Sequence, residues 1–140
     1  MNEILRRRRA LMGQIKGKSD MNGWTDGVAY TDLTIVNGQY VSADGLIQNY
    51  SGWSRTGFVP CGGASSITFP PLGQSYAGDV KFNYFYSAQN SSSSSTVQRI
   101  TLSRTQSKII NVPSTANYFV ISSETANLIT CVNAGIIPNA

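Results

Sequence analysis

Acidic residues near the start of the chain come closest to a catalytic arrangement. Asp26 paired with Asp20 or with Asp32 would form a glycosidase-like acid–base site if folding held the two carboxylates about 5–10 Å apart. Aspartates in a stretch rich in Gly, Ser and Asn more often cap turns. We therefore expect these carboxylates to be structural.

The remaining composition argues against an enzyme. The chain has no histidine, which removes the commonest general base and metal ligand and excludes Ser-His-Asp, Cys-His and zinc-finger sites. Cys61 and Cys131 lie far apart and form no CxxC pair, so neither a thiolate metal site nor a disulfide framework is indicated. We expect two small buried thiols, with a mutual disulfide as the alternative. No catalytic residue, metal or cofactor is predicted.

The positive charge belongs to one end of the chain. The formal net charge is +4. Residues 1–18 contain six basic residues and one acidic residue, whereas residues 19–140 contain five basic and six acidic residues. The chain therefore divides into a basic arm (1–18), a Gly- and Asn-containing linker (19–27) and a nearly neutral domain (28–140).

The arm is predicted to be a short helix that docks on a partner. It has no apolar run of the kind found in secretion signals, and no stretch of the chain is long and apolar enough to be a transmembrane helix. A helix this short is marginal alone in water, so we expect a partner protein to hold it. A solvated face and weak, salt-dependent nucleic-acid binding are the less favoured alternatives, since no base-reading element accompanies the arginines. The expected docking residues are Ile4, Leu5, Arg6, Arg7, Arg8, Arg9, Leu11, Met12 and Ile15.

Alternating apolar and polar residues predict strands from Tyr30 onward. Asn37-Gly38 between residues 33–36 and 39–42 has the composition of a type I′ hairpin turn, and Asp44-Gly45 repeats it before residues 46–50. These two turns predict a three-stranded meander. Short runs rich in β-branched and aromatic residues predict further strands at 53–59, 65–69, 80–86, 98–103, 108–112, 118–122 and 128–133.

Many short strands at regular spacing indicate an all-β fold, an antiparallel β-sandwich or jelly roll. The serine run 91–95 is expected to be an exposed loop tip without a binding role. In residues 82–86, Phe82, Tyr84 and Tyr86 should share one face of a strand and Phe85 the other.

Aromatic side chains are the candidates for ligand binding. Most are expected in the core, but those beside glycine or serine are expected to be exposed, where flat rings can bind sugars or proteins. The candidate glycan-binding residues are Trp24, Tyr50, Trp53 and Tyr76.

Three segments of the chain resemble a recurring pattern. They are residues 56–63 (TGFVPCGG) with 67–69 (ITF), residues 82–87 (FNYFYS) and residues 110–122 (INVPSTANYFVIS). Their order and spacing are similar to jelly-roll domains, like those of carbohydrate-binding modules, in tail-associated and minor structural proteins of phages and prophages of gut bacteria. The resemblance transfers no ligand, because the matching residues form turns and alternating strands.

The resemblance implies a structural protein of the virion that is anchored by its arm and displays the β-domain. It would be a short fibre, a spike, a decoration protein or an adaptor protein, attached to the head or the tail. Expected partners are other virion proteins and copies of the same chain, with a trimer favoured. Nucleic acid and membrane are not expected partners. The alternative function is a glycan-binding adhesion module that contacts host cell-surface carbohydrate.

Overall fold

The protein is described by a computed structural model over residues 26–31, 33–73 and 82–140. The predicted arm (1–18) and almost all of the predicted linker (19–27) lie outside these residues, as do Trp24 and Tyr76. The described strands and helix are β1 (Ile35–Val41), β2 (Ile47–Thr56), β3 (Val59–Pro60), β4 (Ser66–Phe69), β5 (Asn83–Tyr86), β6 (Thr96–Ile100), β7 (Lys108–Asn111), β8 (Tyr118–Val120), β9 (Ser122–Glu124), α1 (Thr125–Ala134) and β10 (Ile137–Asn139).

The described strands form three antiparallel sheets, which confirms a mostly β fold. Their orders are β1-β2-β9, β10-β4-β7 and β3-β8-β5-β6. β8 and β9 are separated only by Ile121 but belong to different sheets. One continuous stretch of chain therefore links the four-stranded sheet to the β1–β2 hairpin.

The larger buried cluster joins the four-stranded sheet to β4 and α1. Phe85 and Phe119 are register partners on β5 and β8, and both are fully buried. Phe69 of β4 packs edge-on against Phe119 with ring centroids 5.3 Å apart. Leu128 and Cys131 of α1 belong to the same cluster. Removal of these side chains from water is the main favourable term for the fold.

A second cluster lies on the opposite face of β5 and β8, under the β1–β2 hairpin. It contains Val41, Tyr86 and Val120, with Phe82 and Tyr84 among the partly buried side chains packed against it. The predicted alternation within residues 82–86 is therefore confirmed. The tyrosines also hold the hairpin turn, since the Tyr84 and Tyr86 hydroxyls donate to the carbonyls of Ala43 and Gly45 at 2.7 and 2.6 Å.

The predicted turn at Asn37-Gly38 is wrong. Both residues lie inside β1, and the chain reverses only at Asp44-Gly45, where Gly45 N donates to the carbonyl of Ser42. Gly38 does adopt the positive φ (79°) that the turn prediction required. It uses that conformation in a bulge, because β1 continues to pair with the long strand β2 on both sides of it. The predicted meander is therefore a single hairpin.

The strand predicted at 128–133 is also wrong, because these residues lie in α1. Leu128, Cys131 and the partly buried Val132 follow the i, i+3, i+4 spacing of a helix that packs one face on the core. Ile129 between them is 43% exposed. The β-branched residues in this segment favour a strand, but burial of one helical face in the core stabilises a helix instead.

The predicted strands 65–69 and 108–112 and the described part of 80–86 overlap β4, β7 and β5, whereas the predicted strand 98–103 overlaps only the end of β6. The predicted strand 53–59 is divided between the end of β2 and β3, and the predicted strand 118–122 between β8 and β9. In the serine run, Ser92, Ser93 and Ser94 are exposed as predicted, but Ser95 is buried. Its hydroxyl donates to the carbonyl of Asn90 at 2.6 Å, so this loop is built around its own hydrogen bonds.

Candidate functional site

Three aromatic side chains meet on the β1–β2 hairpin, and we call them the aromatic cluster: Tyr40, Tyr50 and Trp53. Tyr40 and Tyr50 are stacked, with ring centroids 4.9 Å apart. Trp53 meets both edge-on, at 5.7 Å from Tyr40 and 6.0 Å from Tyr50. Such offset and edge-to-face pairs contribute about 0.5–1.5 kcal/mol each beyond the area they bury. The rings therefore fix one another's orientation.

A large bulge in the hairpin creates the cluster. Gln39 is paired with Asn49 and Asn37 with Ser54, so Gly38 alone faces residues 50–53. The extra residues of β2 carry Tyr50 and Trp53 and loop over Tyr40 on the partner strand. Hydrogen bonds hold the bulge at its base. The Ser54 hydroxyl donates to Asn37 Oδ1 at 2.8 Å, and the Thr125 hydroxyl donates to the carbonyl of Gly52 at 3.3 Å.

The aromatic cluster lies at the surface and belongs to neither hydrophobic core. Tyr50 is 52% exposed, and Tyr40 and Trp53 are half-buried. Tyrosine and tryptophan combine an apolar ring with a polar tip, which suits surfaces that bind partly polar ligands. The cluster therefore offers rigid, solvent-accessible ring surface.

Polar side chains border the rings. Glu124 of β9 is the register partner of Trp53, and Gln48 of β2 is the register partner of Tyr40. Side chains directly opposite one another in an antiparallel pair project from the same face of the sheet. The Glu124 carboxylate accepts from the Ser123 hydroxyl at 2.9 Å and from Asn127 Nδ2 at 3.3 Å. Hydrogen-bonding groups thus lie beside the aromatic surface.

The sequence identified part of this cluster. Tyr50 and Trp53 were predicted to be exposed, and the bulge brings them together. Tyr40 is not among the residues predicted to be exposed, because alternation alone does not reveal which face of β1 is covered. The other two predicted glycan-binding residues, Trp24 and Tyr76, lie outside the described residues. So do the predicted docking residues of the arm: Ile4, Leu5, Arg6, Arg7, Arg8, Arg9, Leu11, Met12 and Ile15.

The groups considered for catalysis or metal binding do not converge in the described part of the chain. Asp26 accepts a hydrogen bond from the backbone N–H of Ala140 at 2.7 Å, whereas Asp20 and Asp32 lie outside the described residues. Within residues 26–31, 33–73 and 82–140, no group of three or more Cys, Asp or Glu side chains is placed to hold a metal ion. No helix in these segments is long and apolar enough to span a membrane.

A groove lies where two of the resembling segments meet. Pro60 is paired with Tyr118, and Cys61 N donates to the carbonyl of Asn117 at 2.9 Å. The groove between these segments has a volume of about 260 Å³ and is lined by residues 61–64, 112–114 and 116–118. Its walls are largely backbone and small side chains, so it lacks the convergent side-chain chemistry of the aromatic cluster.

No protein-family model matches this chain, and no curated protein or solved structure matches it. Inference about function therefore depends on the residues and their geometry.

Proposed function

We propose that this protein is a displayed structural component of a phage particle whose β-domain binds host cell-surface carbohydrate through the aromatic cluster. The observation that supports binding is the exposed, mutually packed set of Tyr40, Tyr50 and Trp53 with polar residues at its border. This combination matches the chemistry of a sugar ring, which has apolar C–H faces and a rim of hydroxyl groups.

The rigidity of the cluster favours binding. A flexible aromatic side chain must lose rotamer freedom when a ligand orders it, and that loss weakens affinity. In the aromatic cluster each ring already contacts the other two. Stacking of a sugar on Tyr50 therefore causes little further loss of side-chain rotamer freedom. Gln48 and Glu124 border the rings and could hydrogen-bond the sugar hydroxyls.

Substitution of Tyr50 tests the binding proposal. A glycan array screened with the full chain identifies a binding saccharide, whose affinity is then measured by titration calorimetry. Tyr50→Ala should weaken that affinity by about ten-fold or more, because truncation of an aromatic anchor costs more than 1 kcal/mol. Its melting temperature should fall by several degrees without loss of the fold, because the side chain is 52% exposed but takes part in two ring pairs of about 0.5–1.5 kcal/mol each. Trp53→Ala should weaken binding as well.

Ile109→Ala is the matched control, because Ile109 is 68% exposed on β7, in a different sheet. It should leave saccharide affinity unchanged. Equal affinity in wild type and Tyr50→Ala, or no saccharide bound on the array, would overturn the binding proposal. A large drop in the melting temperature of Trp53→Ala would assign that residue to packing and leave Tyr50→Ala as the test.

Membership of a phage particle is supported by the resembling segments. They lie within residues 50–122, and two of them meet at the β3–β8 pair. Packing of the four-stranded sheet against β4 through a shared core is compatible with the jelly-roll sandwich that the resemblance implies. In this proposal the basic arm anchors the chain to other virion proteins.

Quantitative peptide mass spectrometry of purified particles tests this second part. The chain should be present at a fixed copy number that matches a symmetry of the head or tail. Deletion of residues 1–18 should abolish incorporation while the β-rich circular dichroism of the protein is preserved. Absence of the chain from particles, or an unchanged copy number after the deletion, would contradict the assignment.

A further inference from the structure

The β10-β4-β7 sheet has one covered edge and one open edge. Along the β10 edge, the carbonyls of Ile136 and Pro138 accept hydrogen bonds from the N–H groups of Tyr30 and Gly27, both at 2.9 Å. Proline has no N–H group to offer at this edge. β7 forms the opposite edge, and among the described strands it pairs only with β4. A further strand can therefore join this sheet beside β7.

The register of β7 shows which backbone groups face the open edge. The N–H of Val112, directly after β7, donates to the carbonyl of Ser65 at 2.9 Å, and Ile110 faces β4 in the same way. Backbone groups of successive residues point to opposite sides of a strand, so the N–H and C=O groups of Ile109 and Asn111 point away from β4. Within residues 26–31, 33–73 and 82–140, these four groups have no hydrogen-bond partner.

The side chains of β7 also favour pairing. Ile109 is 68% exposed, more than any other large hydrophobic side chain in the described part of the chain. Ile110 lies on the other face and packs partly buried against the larger core. In contrast β6, at the edge of the four-stranded sheet, carries the exposed polar residues Gln98 and Arg99. Charged side chains protect an edge from pairing, whereas an apolar edge with free backbone groups is a template for another strand.

We propose that β7 pairs in antiparallel orientation with β7 of a second copy of this chain, which joins two three-stranded sheets into one of six strands. A two-fold axis at Ile110 sets Ile109 opposite Asn111 of the second copy, and Asn111 opposite Ile109. Each of these two pairs exchanges both N–H···O=C bonds, so the contact has four. The open groups of one strand thus satisfy those of the other.

The side chains are compatible with this register. The two copies of Ile110 lie directly opposite each other, and cross-strand apolar pairs of this kind stabilise a sheet. Lys108 is the only charged residue of β7. It lies opposite Val112 of the second copy, so the pairing sets no like charges against each other. An edge that is apolar at its centre and charged only at its end does not repel its own copy.

The small size of the contact sets its strength. Stable interfaces bury about 1,200–2,000 Å² in total, and two paired strands of four residues bury less. We therefore expect a dissociation constant between about 10 µM and about 1 mM. A two-fold contact forms a dimer, which differs from the trimer that the resemblance favours. The inference is independent of carbohydrate binding, because the aromatic cluster lies on β1 and β2.

Sedimentation of the full chain as a function of concentration tests the inference. The chain should sediment as a monomer at about 1 µM, with a rising fraction of dimer toward about 1 mM. Ile109→Lys should weaken dimer formation by about ten-fold or more, because it brings two lysines, one from each copy, within about 7–8 Å of each other. Ile129→Lys is the matched control, since Ile129 is 43% exposed on α1. It should leave the dissociation constant unchanged.

Asn111→Pro tests the backbone bonds separately. It removes the outward N–H of each copy, and with it two of the four hydrogen bonds, but no N–H that bonds β4. It should also weaken dimer formation by about ten-fold or more. Circular dichroism and melting temperatures check that the variants are folded.

Amide hydrogen exchange of the wild type locates the contact without any substitution. The amides of Ile109 and Asn111 should exchange several-fold more slowly at about 1 mM than at about 50 µM, whereas the amide of Ile110 faces β4 at both concentrations and should not change. A monomer at every concentration, a trimer, or a dimer that forms equally well in both β7 variants would overturn the inference. So would exchange at Ile109 and Asn111 that is independent of concentration.

Discussion

Burial sets the chemistry of the two cysteines. Cys61 and Cys131 are free thiols inside the larger core, as expected from the sequence, and the predicted alternative of a mutual disulfide is not present in the structure. Desolvation raises the pKa of each thiol from 9.0 to about 12. Below pH 9 both groups are therefore neutral side chains that pack like small apolar residues.

Alkaline pH should destabilise the fold through these thiols. Unfolded thiols lose their protons near pH 9 while the folded ones retain them up to about pH 12, so the stability present below pH 9 is lost as pH rises between these values. Each thiol contributes a slope of up to about 1.4 kcal/mol per pH unit. Urea unfolding at about pH 8 and about pH 10.5 measures the loss.

The double variant Cys61→Ala and Cys131→Ala is the comparison for this slope. It should lose less stability between the two pH values than the wild type. The buried phenols of Tyr30 and Tyr86, whose pKa values are also raised by burial, provide the slope that persists. An unchanged slope in the double variant would contradict the assignment to the thiols.

At the scale of elements, the two Asx-Gly pairs of the hairpin show what local sequence can and cannot predict. Both Gly38 and Gly45 have positive φ, as a type I′ turn would need. Only Gly45 lies at a chain reversal, whereas Gly38 lies in the bulge that creates the aromatic cluster. The difference depends on the pairing of β2 with both β1 and β9, which no local pattern contains.

Substitution of these two glycines should therefore have unequal effects. A Cβ at Gly38 would meet nothing within 4 Å, whereas one at Gly45 would lie 2.6 Å from Thr96 Cγ2 and 3.1 Å from a Tyr84 ring carbon. Gly38→Ala should cost about 1–2 kcal/mol, from the positive φ alone. Gly45→Ala should cost about 1–3 kcal/mol more, because it also overpacks the hairpin against the four-stranded sheet.

Chemical denaturation of the two variants under identical conditions measures this difference. Equal free energies of unfolding would mean that the turn does not pack on Tyr84 and Thr96 as described. Gly38→Ala also perturbs the bulge beneath Tyr50 and Trp53 without changing either ring.

The helix α1 marks a second limit of local prediction. Residues 128–133 are rich in β-branched side chains, and only the burial of Leu128 and Cys131 on one helical face distinguishes a helix from a strand. The alternation in β5, in contrast, is predicted correctly from the sequence, because aromatic side chains cover both faces of that strand. Packing against residues distant in sequence therefore determines that 128–133 form a helix, whereas the alternation in β5 is already visible in the local sequence.

At the scale of the whole molecule, the β class followed from turns and alternation, but the candidate site did not. Tyr50 and Trp53 were predicted exposed from the neighbouring Ser51 and Gly52. These two rings meet Tyr40 because Gly38 of β1 lies opposite the four residues 50–53 of β2. Nothing in the local sequence predicts a bulge of that size.

The β-domain beyond the arm carries a nearly balanced charge. The chain beyond residue 18 has five basic and six acidic residues, so the domain generates no strong positive field to attract anions at long range. Saccharide binding by the aromatic cluster would then come from short-range contacts. Such binding should weaken only modestly with salt, unlike binding by the basic arm.

Amide and indole chemical-shift mapping of the isotope-labelled chain, titrated with the saccharide selected from the array, tests the central claim most directly. The claim predicts that the largest shifts fall on the Trp53 indole N–H, on the backbone amides of residues 48–55 and on Tyr40, with little change at Ile109 on β7. Shifts centred on the groove at Gly62-Gly63, or no shifts at saturating saccharide, would contradict it.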